Sequence, residues 1–188
     1  MRPRLAAAVF ALCSGCATSI PDSEPTLSFS ARDYPANWPR LKTQDCARVA
    51  GRFEGMSSAL AYVTFDPSVA RFDKVPLGST LTNGPSPHKI SPVELRQDGA
   101  GRLSASGENL PGHVRPMQTV CEQGWLAVRM EHGGYSDGAD RRDKAVIHLG
   151  LTEDGSLVMR KASVAKATAL WAFTSTGHLV YWARFRPQ

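Results

Sequence analysis

At 188 residues, the chain is long enough for one ordinary domain and too short for two large ones. Its 42% hydrophobic and 21% charged residues support a packed core and exclude wholesale disorder. The formal net charge of +5 is scattered without a dense run of Lys and Arg, which argues against nucleic acid as a partner.

The first residues have the organisation of an export signal. Arg2 and Arg4 give a positive start, and residues 5–12 form an apolar run. As a helix this run would span only ~12 Å, against a hydrocarbon core of ~30 Å, so it is too short for a transmembrane anchor. We therefore predict that residues 1–15 are a cleavable signal peptide.

The predicted signal ends at two cysteines separated by two residues. A redox-active C-x-x-C motif needs a strand-to-helix turn, and a zinc ribbon needs a second such pair, so both interpretations are rejected. Cys13-Ser14-Gly15-Cys16 instead resembles a lipobox, where bacterial lipoproteins are lipidated on the last cysteine and cleaved just before it. The resemblance implies lipidation of Cys16, although Cys13 stands where Leu is commonest. Ordinary cleavage near Gly15 or Ala17, which would leave a soluble secreted protein, is the alternative.

The residues after Cys16 predict where the domain lies. Ala17 rather than Asp follows the cysteine, which in the lipoprotein sorting rule of enteric bacteria implies the outer membrane. We expect a lipid-anchored protein of the cell envelope, in the outer membrane and facing the periplasm, with the membrane as one partner. Residues 16–45 contain four prolines and little periodicity, which predicts an extended tether. Trp38 and Leu41 are expected to dock the end of this tether on the domain.

Residues 46–188 are predicted to form a single β-rich domain with one disulfide. Cys46 and Cys121 are the cysteines that follow the signal. An even pair of cysteines in an oxidising compartment is typical of a disulfide. Two separate buried thiols are the alternative.

The first strand is predicted within residues 46–55, which alternate around Val49, Gly51 and Phe53. The pattern C-x-x-V-x-G-x-F-x-G resembles the opening of several small, uncharacterised proteobacterial lipoproteins. This resemblance covers about ten residues plus the signal, and it implies no known activity. Residues 58–65 fit either a helical turn or a strand.

Short strands joined by tight turns are predicted for the second half of the chain, after a proline-rich loop at residues 73–92. We expect strands at residues 93–97, 102–105, 117–121, 125–130, 145–151, 156–159, 167–173 and 178–185. Their regular spacing indicates a mainly β fold with little helix. It predicts an antiparallel meander that forms a curved sheet or a small lipocalin-like barrel.

The histidines and acidic residues form no pattern typical of a metal site. The five histidines are His88, His113, His132, His148 and His178. They contain no H-E-x-x-H motif and no close i, i+4 pair, so we predict neither a metal nor a cofactor. His148 lies in an alternating strand and is expected to be structural or on the surface. Asp137, Asp140 and Asp143 lack the spacing of an EF-hand loop.

Residues 131–144 are predicted to be a solvated loop. Within it, His132-Gly133-Gly134-Tyr135 resembles the oxyanion loop of lipases. Gly134-Tyr135-Ser136-Asp137-Gly138 matches the letters of the G-x-S-x-G motif. The predicted meander, however, lacks the strand-to-helix turn and the α/β framework in which that motif forms a nucleophile elbow. We therefore interpret residues 131–144 as a contact loop. The residues expected to touch a partner are His132, Tyr135, Arg141 and Arg142.

Two classes of function remain open. The first is a non-enzymatic, lipid-anchored module that binds an envelope protein or a small hydrophobic ligand, and the lack of a metal-site motif and of an α/β framework favours it. The second is an envelope hydrolase with a nonstandard site, in which His132 acts with Asp137 or Asp140. Convergence of those side chains in a pocket would favour the second.

Overall fold

The computed structural model describes residues 19–21, 23–42, 46, 49–67, 71–82, 91–108, 110, 116–136, 138–169 and 173–188. Cys16, with the whole predicted signal peptide, lies outside these ranges. The same holds for His88, His113 and Asp137.

Within the described residues, nine β-strands and one short α-helix follow one another along the chain. The strands are β1 (Gly51–Phe53), β2 (Ala59–Phe65), β3 (Val93–Gln97), β4 (Arg102–Ser106), β5 (Met117–Glu122), β6 (Trp125–Ser136), β7 (Ala139–Leu151), β8 (Leu157–Ala169) and β9 (Phe173–Phe185). The helix α1 (Leu77–Thr82) lies between β2 and β3, and the 3-10 helices Pro25–Leu27 and Ala31–Asp33 precede β1.

All nine strands belong to one antiparallel sheet, in the order β1-β3-β4-β5-β6-β7-β8-β9-β2. From β3 to β9 each strand pairs with the next one in the chain, so the predicted mainly β meander with little helix is confirmed. The sheet is curved and does not close, because β1 forms one edge and β2 the other. A single isolated bridge, between Phe53 and Pro187, connects β1 to the residues that follow β9.

The pairing is long on one side of the sheet and short on the other. Strands β7, β8 and β9 have 13 residues each, and their ladders extend over their full lengths. Among the described residues, β4 and β5 pair at Arg102↔Gln118 and Leu103↔Met117. This is the shortest ladder of the meander in the part of the chain that the structure describes.

The inner face of the sheet carries the main hydrophobic core, to which all nine strands contribute. Alternation places every second side chain of a strand on this face. Leu95, Leu149 and Leu157 are fully buried there, and α1 covers the face with Leu77 and Leu81. Burying each of these leucines stabilises the fold by roughly 2 kcal/mol.

The outer face is covered by the segment of residues 19–42, which we call the N-terminal strap. Leu27 of the strap is buried against the outer face. The backbone of Lys42 donates a hydrogen bond of 3.0 Å to the carbonyl of Leu151. The expected docking of Trp38 and Leu41 is confirmed, since both pack on the cluster of Trp125, Val158 and Trp182.

The strap replaces the extended tether that was predicted for this part of the chain, and that prediction was wrong. The prolines do limit regular structure, because the strap forms only two 3-10 turns. Its apolar side chains, however, match an outer face that is itself apolar. Undocking would return both surfaces to water, so the packed arrangement is favoured.

Three local predictions were also wrong. Residues 73–92 contain the helix α1 and are not loop throughout. The turn expected at residues 174–177 lies inside β9, and the loop expected at residues 131–144 belongs largely to β6 and β7. In both of the latter cases the Gly, Ser and Thr residues favour turns locally, but pairing with a neighbouring strand satisfies their backbone groups. The ambiguous residues 58–65 contain strand β2.

Cys46 and Cys121 lie at disulfide distance, with their Cα atoms 5.5 Å apart, as predicted. Cys121 belongs to β5, and Cys46 precedes β1. The bridge therefore ties the chain before the edge strand to the middle of the meander, across the side of the sheet where the ladders are short.

Candidate contact surface on the β6–β7 hairpin

Strands β6 and β7 form a long hairpin whose outer part extends past β5. The two strands pair from Leu126↔Leu149 to Ser136↔Ala139. Among the described residues, β5 pairs with β6 only between Glu122↔Trp125 and Thr119↔Val128. The predicted contact residues therefore lie on a paired and ordered extension of the sheet.

The hairpin divides the four predicted contact residues between its two faces. His132 is opposite Asp143 and Tyr135 is opposite Asp140 in the ladder. Residues directly opposite each other share a face, and positions three apart on one strand lie on different faces. Tyr135 and Arg142 are thus on the outer face, and His132 and Arg141 are on the inner face. Tyr135 is 75% exposed.

This division also separates the residues of the alternative catalytic hypothesis. His132 and Asp140 project from opposite faces of the hairpin, so the structure does not bring them together. Asp137 lies outside the described residues. In the described part of the chain, no group of three or more His, Cys, Asp and Glu residues has an arrangement that would hold a metal ion.

A groove of about 440 Å³ lies where the strap meets the hairpin. Its walls carry both signs of charge. The lining residues are Ser19, Ile20, Pro21, Glu131, His132, Gly133, Arg142, Asp143 and Lys144. Lys144 connects the two walls, because its Nζ lies 2.7 Å from Oε1 of Glu131 and donates to the Ile20 carbonyl at 3.4 Å. The start of the strap is thereby held against the base of the hairpin.

A polar network that the sequence did not indicate is buried at the other end of β7. His148 is fully buried, and its Nε2 lies 2.9 Å from Oε2 of Glu122, which also pairs with Arg129. Because an ionised carboxylate only accepts hydrogen bonds, His148 Nε2 carries the proton of this bond. This position agrees with the structural role expected for His148. Its acidic partner, Glu122, was expected in the turn between β5 and β6 and is instead the last residue of β5.

Burial decides the direction of the pKa shift at His148, and hydrogen bonds decide it at Glu122. Burial lowers the pKa of His148 below its ordinary value of 6.5, and the Glu122 carboxylate opposes that shift only in part. Partial burial would raise the pKa of Glu122, but hydrogen bonds from His148 and Arg129 lower it below 4.5. The favoured state near neutral pH is therefore a neutral imidazole that donates to a carboxylate.

We expect the free energy of unfolding to decrease as the pH falls below 6.5. In this window the unfolded state takes up a proton on His148 that the folded state resists, so acid favours unfolding until the lowered folded pKa is reached. Glu122 loses its own contribution only below its ordinary value of 4.5. Urea unfolding at pH values spanning this window measures the effect. The control is His148→Gln, which should flatten the pH dependence; an unchanged slope in that variant would contradict the assignment.

No family model, curated protein or solved structure matches the chain. None of the helices in the described residues is long and apolar enough to cross a membrane. The function is therefore argued from the geometry of the molecule itself.

Proposed function

We propose that the protein is a non-catalytic binding module of the cell envelope that recognises a partner protein through the β6–β7 hairpin. Lipid on Cys16 would hold it at the outer membrane, facing the periplasm. The observation that carries the proposal is the exposure of Tyr135 to 75%, on an extension of the sheet beside Arg142. Tyrosine and arginine are enriched in the parts of interfaces that contribute most to binding.

The packing of the core supports a protein partner over a small hydrophobic ligand. Leu95, Leu103, Ile147 and Leu149 on the inner face have no exposed surface. A hydrophobic ligand inside the sheet would have to displace such side chains, whereas the exposed face of the hairpin is ready to meet another surface. The charges near the tip, including the Arg142–Asp140 pair at 3.6 Å, favour a partner with a polar, mixed-charge surface.

The docked strap determines the reach of the proposed anchor. Only residues 17 and 18 separate Cys16 from the described part of the strap, so the lipidated residue would lie within about 10 Å of Ser19. Ser19 lines the groove at the base of the hairpin. A lipid on Cys16 would therefore keep the hairpin close to the membrane, where a membrane-associated partner is concentrated.

A photo-crosslinking side chain at position 135 tests this function in intact envelopes. We expect it to yield a discrete adduct with one partner, because the probe replaces the exposed Tyr135 at the centre of the contact. The matched control is the same probe at Phe72, which is 44% exposed. The backbone N–H of Phe72 donates to Oη of Tyr62 in β2, and β8 and β9 separate β2 from the hairpin in the sheet. Arg142→Glu should reduce the adduct at position 135 by about fivefold or more through charge reversal.

Equal adducts at positions 135 and 72, or an adduct that Arg142→Glu leaves unchanged, would contradict the proposed contact surface. A hydrolase turnover that survives purification and disappears in His132→Ala would contradict the non-catalytic function instead. The two parts of the proposal can therefore fail separately.

A further inference from the structure

Three polar side chains form a row across the outer face of the sheet, beneath the strap. His148 of β7 is directly opposite Arg160 of β8, and Arg160 is directly opposite Trp182 of β9. His148 and Trp182 have no exposed surface, and Arg160 is 3% exposed. A charged guanidinium is thus buried between two aromatic rings that each carry nitrogen atoms.

Most of the hydrogen-bonding capacity of this row is unused. Nη2 of Arg160 donates to the carbonyl of Ser28 at 2.9 Å. Its Nε and Nη1, together with Trp182 Nε1 and His148 Nδ1, are buried and have no hydrogen-bond partner among the described residues. An unpaired donor in the interior destabilises the folded state, and more strongly when the group is charged. Such a concentration of unpaired nitrogen atoms indicates a partner that bears acceptor oxygens.

The nitrogen atoms differ in what they can bind. Because Nε2 of His148 donates to Glu122, the neutral ring has a lone pair on Nδ1 and cannot donate there. Arg160 and Trp182, in contrast, offer N–H groups only. The acceptor oxygens therefore belong between Arg160 and Trp182, on the side of the row away from His148.

The strap residue Phe29 occupies the space above the row. Its ring centroid lies 4.4 Å from that of His148 and 6.4 Å from that of Trp182, and 5.7 Å from Cζ of Arg160. Phe29 is itself only partly buried, in contrast to the residues beneath it. The ring can therefore move outward without first disrupting the sheet. Its departure would uncover the guanidinium of Arg160, whereas Trp182 would keep its contacts with Tyr34 and Trp125, whose ring centroids lie 5.3 and 5.4 Å from its own.

We propose that Arg160 and Trp182 form a binding site for a small oxyanion, a carboxylate or phosphate group, and that Phe29 is the plug of this site. The guanidinium supplies Nε–H and Nη1–H in a fork that matches two oxygens, and the indole supplies a third N–H. The Asp33 carboxylate of the strap interacts electrostatically with this guanidinium. Binding would exchange the ring of Phe29 for an anion that accepts hydrogen bonds from Nε–H and Nη1–H directly. The apparent affinity is therefore reduced by the fraction of molecules in which the plug is closed.

Titration with sodium phosphate and with sodium acetate, each followed by the NMR signal of the Trp182 indole N–H, tests the site. Sodium chloride at equal ionic strength is the reference for non-specific effects. We expect saturable binding of at least one of the two oxyanions, and about tenfold tighter binding in Phe29→Ala, because that variant removes the plug. Tight binding of acetate identifies a carboxylate ligand, and binding of phosphate alone identifies a phosphate ligand.

Three variants establish which groups bind the anion. Arg160→Met should abolish saturation, and Trp182→Phe should weaken binding about tenfold by removing one N–H while keeping an aromatic ring. Binding to Trp182→Phe is followed by calorimetry, since the indole signal is lost. The matched control is Trp38→Phe, which makes the same change at a residue that packs on the same aromatic cluster through Tyr34. It should alter affinity less than about twofold.

The proposal is overturned if Phe29→Ala, shown to be folded by circular dichroism, binds neither oxyanion more tightly than chloride. It is also overturned if Arg160→Met, equally folded, binds as well as the wild type. Because these experiments need neither lipid nor a partner protein, their outcome is independent of the proposed function of the hairpin.

Discussion

Removal of the disulfide between Cys46 and Cys121 is expected to lower the free energy of unfolding by up to about 4 to 5 kcal/mol. The bridge spans 75 residues, so its loss allows the unfolded chain many more conformations. The loss should also weaken the folded state on this side of the sheet, because β1 has three residues and β4 and β5 share two residue pairs among the described residues. The bridge therefore reinforces a part of the sheet in which the described ladders are short.

Urea unfolding of the oxidised protein, the reduced protein and a Cys46→Ser/Cys121→Ser variant measures this effect. The reduced protein and the variant should unfold at similar urea concentrations, lower than that of the oxidised protein. In denaturing electrophoresis, addition of a reductant should slow the migration of the wild-type protein. A reductant should leave the variant unchanged, which controls for effects elsewhere. Two freely alkylated thiols in unreduced, denatured protein from an oxidising compartment would contradict the bridge.

Replacement of the proposed lipidation residue is expected to have the largest effect on where the protein is found. Cys16→Ala should move essentially all of the protein from the membrane fraction to the soluble fraction. A single acyl chain holds a protein only marginally at a bilayer, whereas the resemblance to bacterial lipoproteins implies three chains on the cysteine. Quantitative immunoblots of membrane and soluble fractions from envelopes measure the change.

Cys13→Ala is the matched control for this experiment. Cys13 lies three residues before Cys16, so the same thiol is removed within the same signal while the proposed lipid acceptor is retained. We expect its partitioning to match that of the wild type. Unchanged membrane partitioning of Cys16→Ala would contradict lipid anchoring and would favour ordinary signal cleavage. It would leave the hairpin contact open to its own crosslinking test.

Strand content was predictable from the sequence because its causes are local. The hairpin of β3 and β4 illustrates this. Buried residues alternate with more exposed ones along both strands, and Leu95 and Leu103 lie in the core on either side of the turn at residues 98–101. Alternation indicates a strand wherever one face is buried, and a glycine in a tight turn supplies the backbone conformation that the reversal needs. Gly101 has a φ of +72° at this turn.

The lengths of the strands could not be predicted in the same way. Residues 174–177 have the composition of a turn, yet Gly177 pairs with Ala165 and Ser175 pairs with Ala167 of β8. The candidate contact residues were placed in a loop, whereas Tyr135 lies exposed in a paired strand of the β6–β7 hairpin. Backbone hydrogen bonds to a neighbouring strand decide these cases, and the neighbour is not encoded in the composition of the segment itself.

The alternation of β8 also determined that Arg160 lies on the face opposite that of Met159. The tertiary structure decided that this outer face is buried. Ser28 and Phe29 of the strap cover Arg160, and Ser28 lies 132 residues before Arg160 in the chain. Local patterns assign side chains to the two sides of a strand. Coverage of a side is a contact between distant segments, so only the packing of the strap converts Arg160 from a surface charge into a buried one.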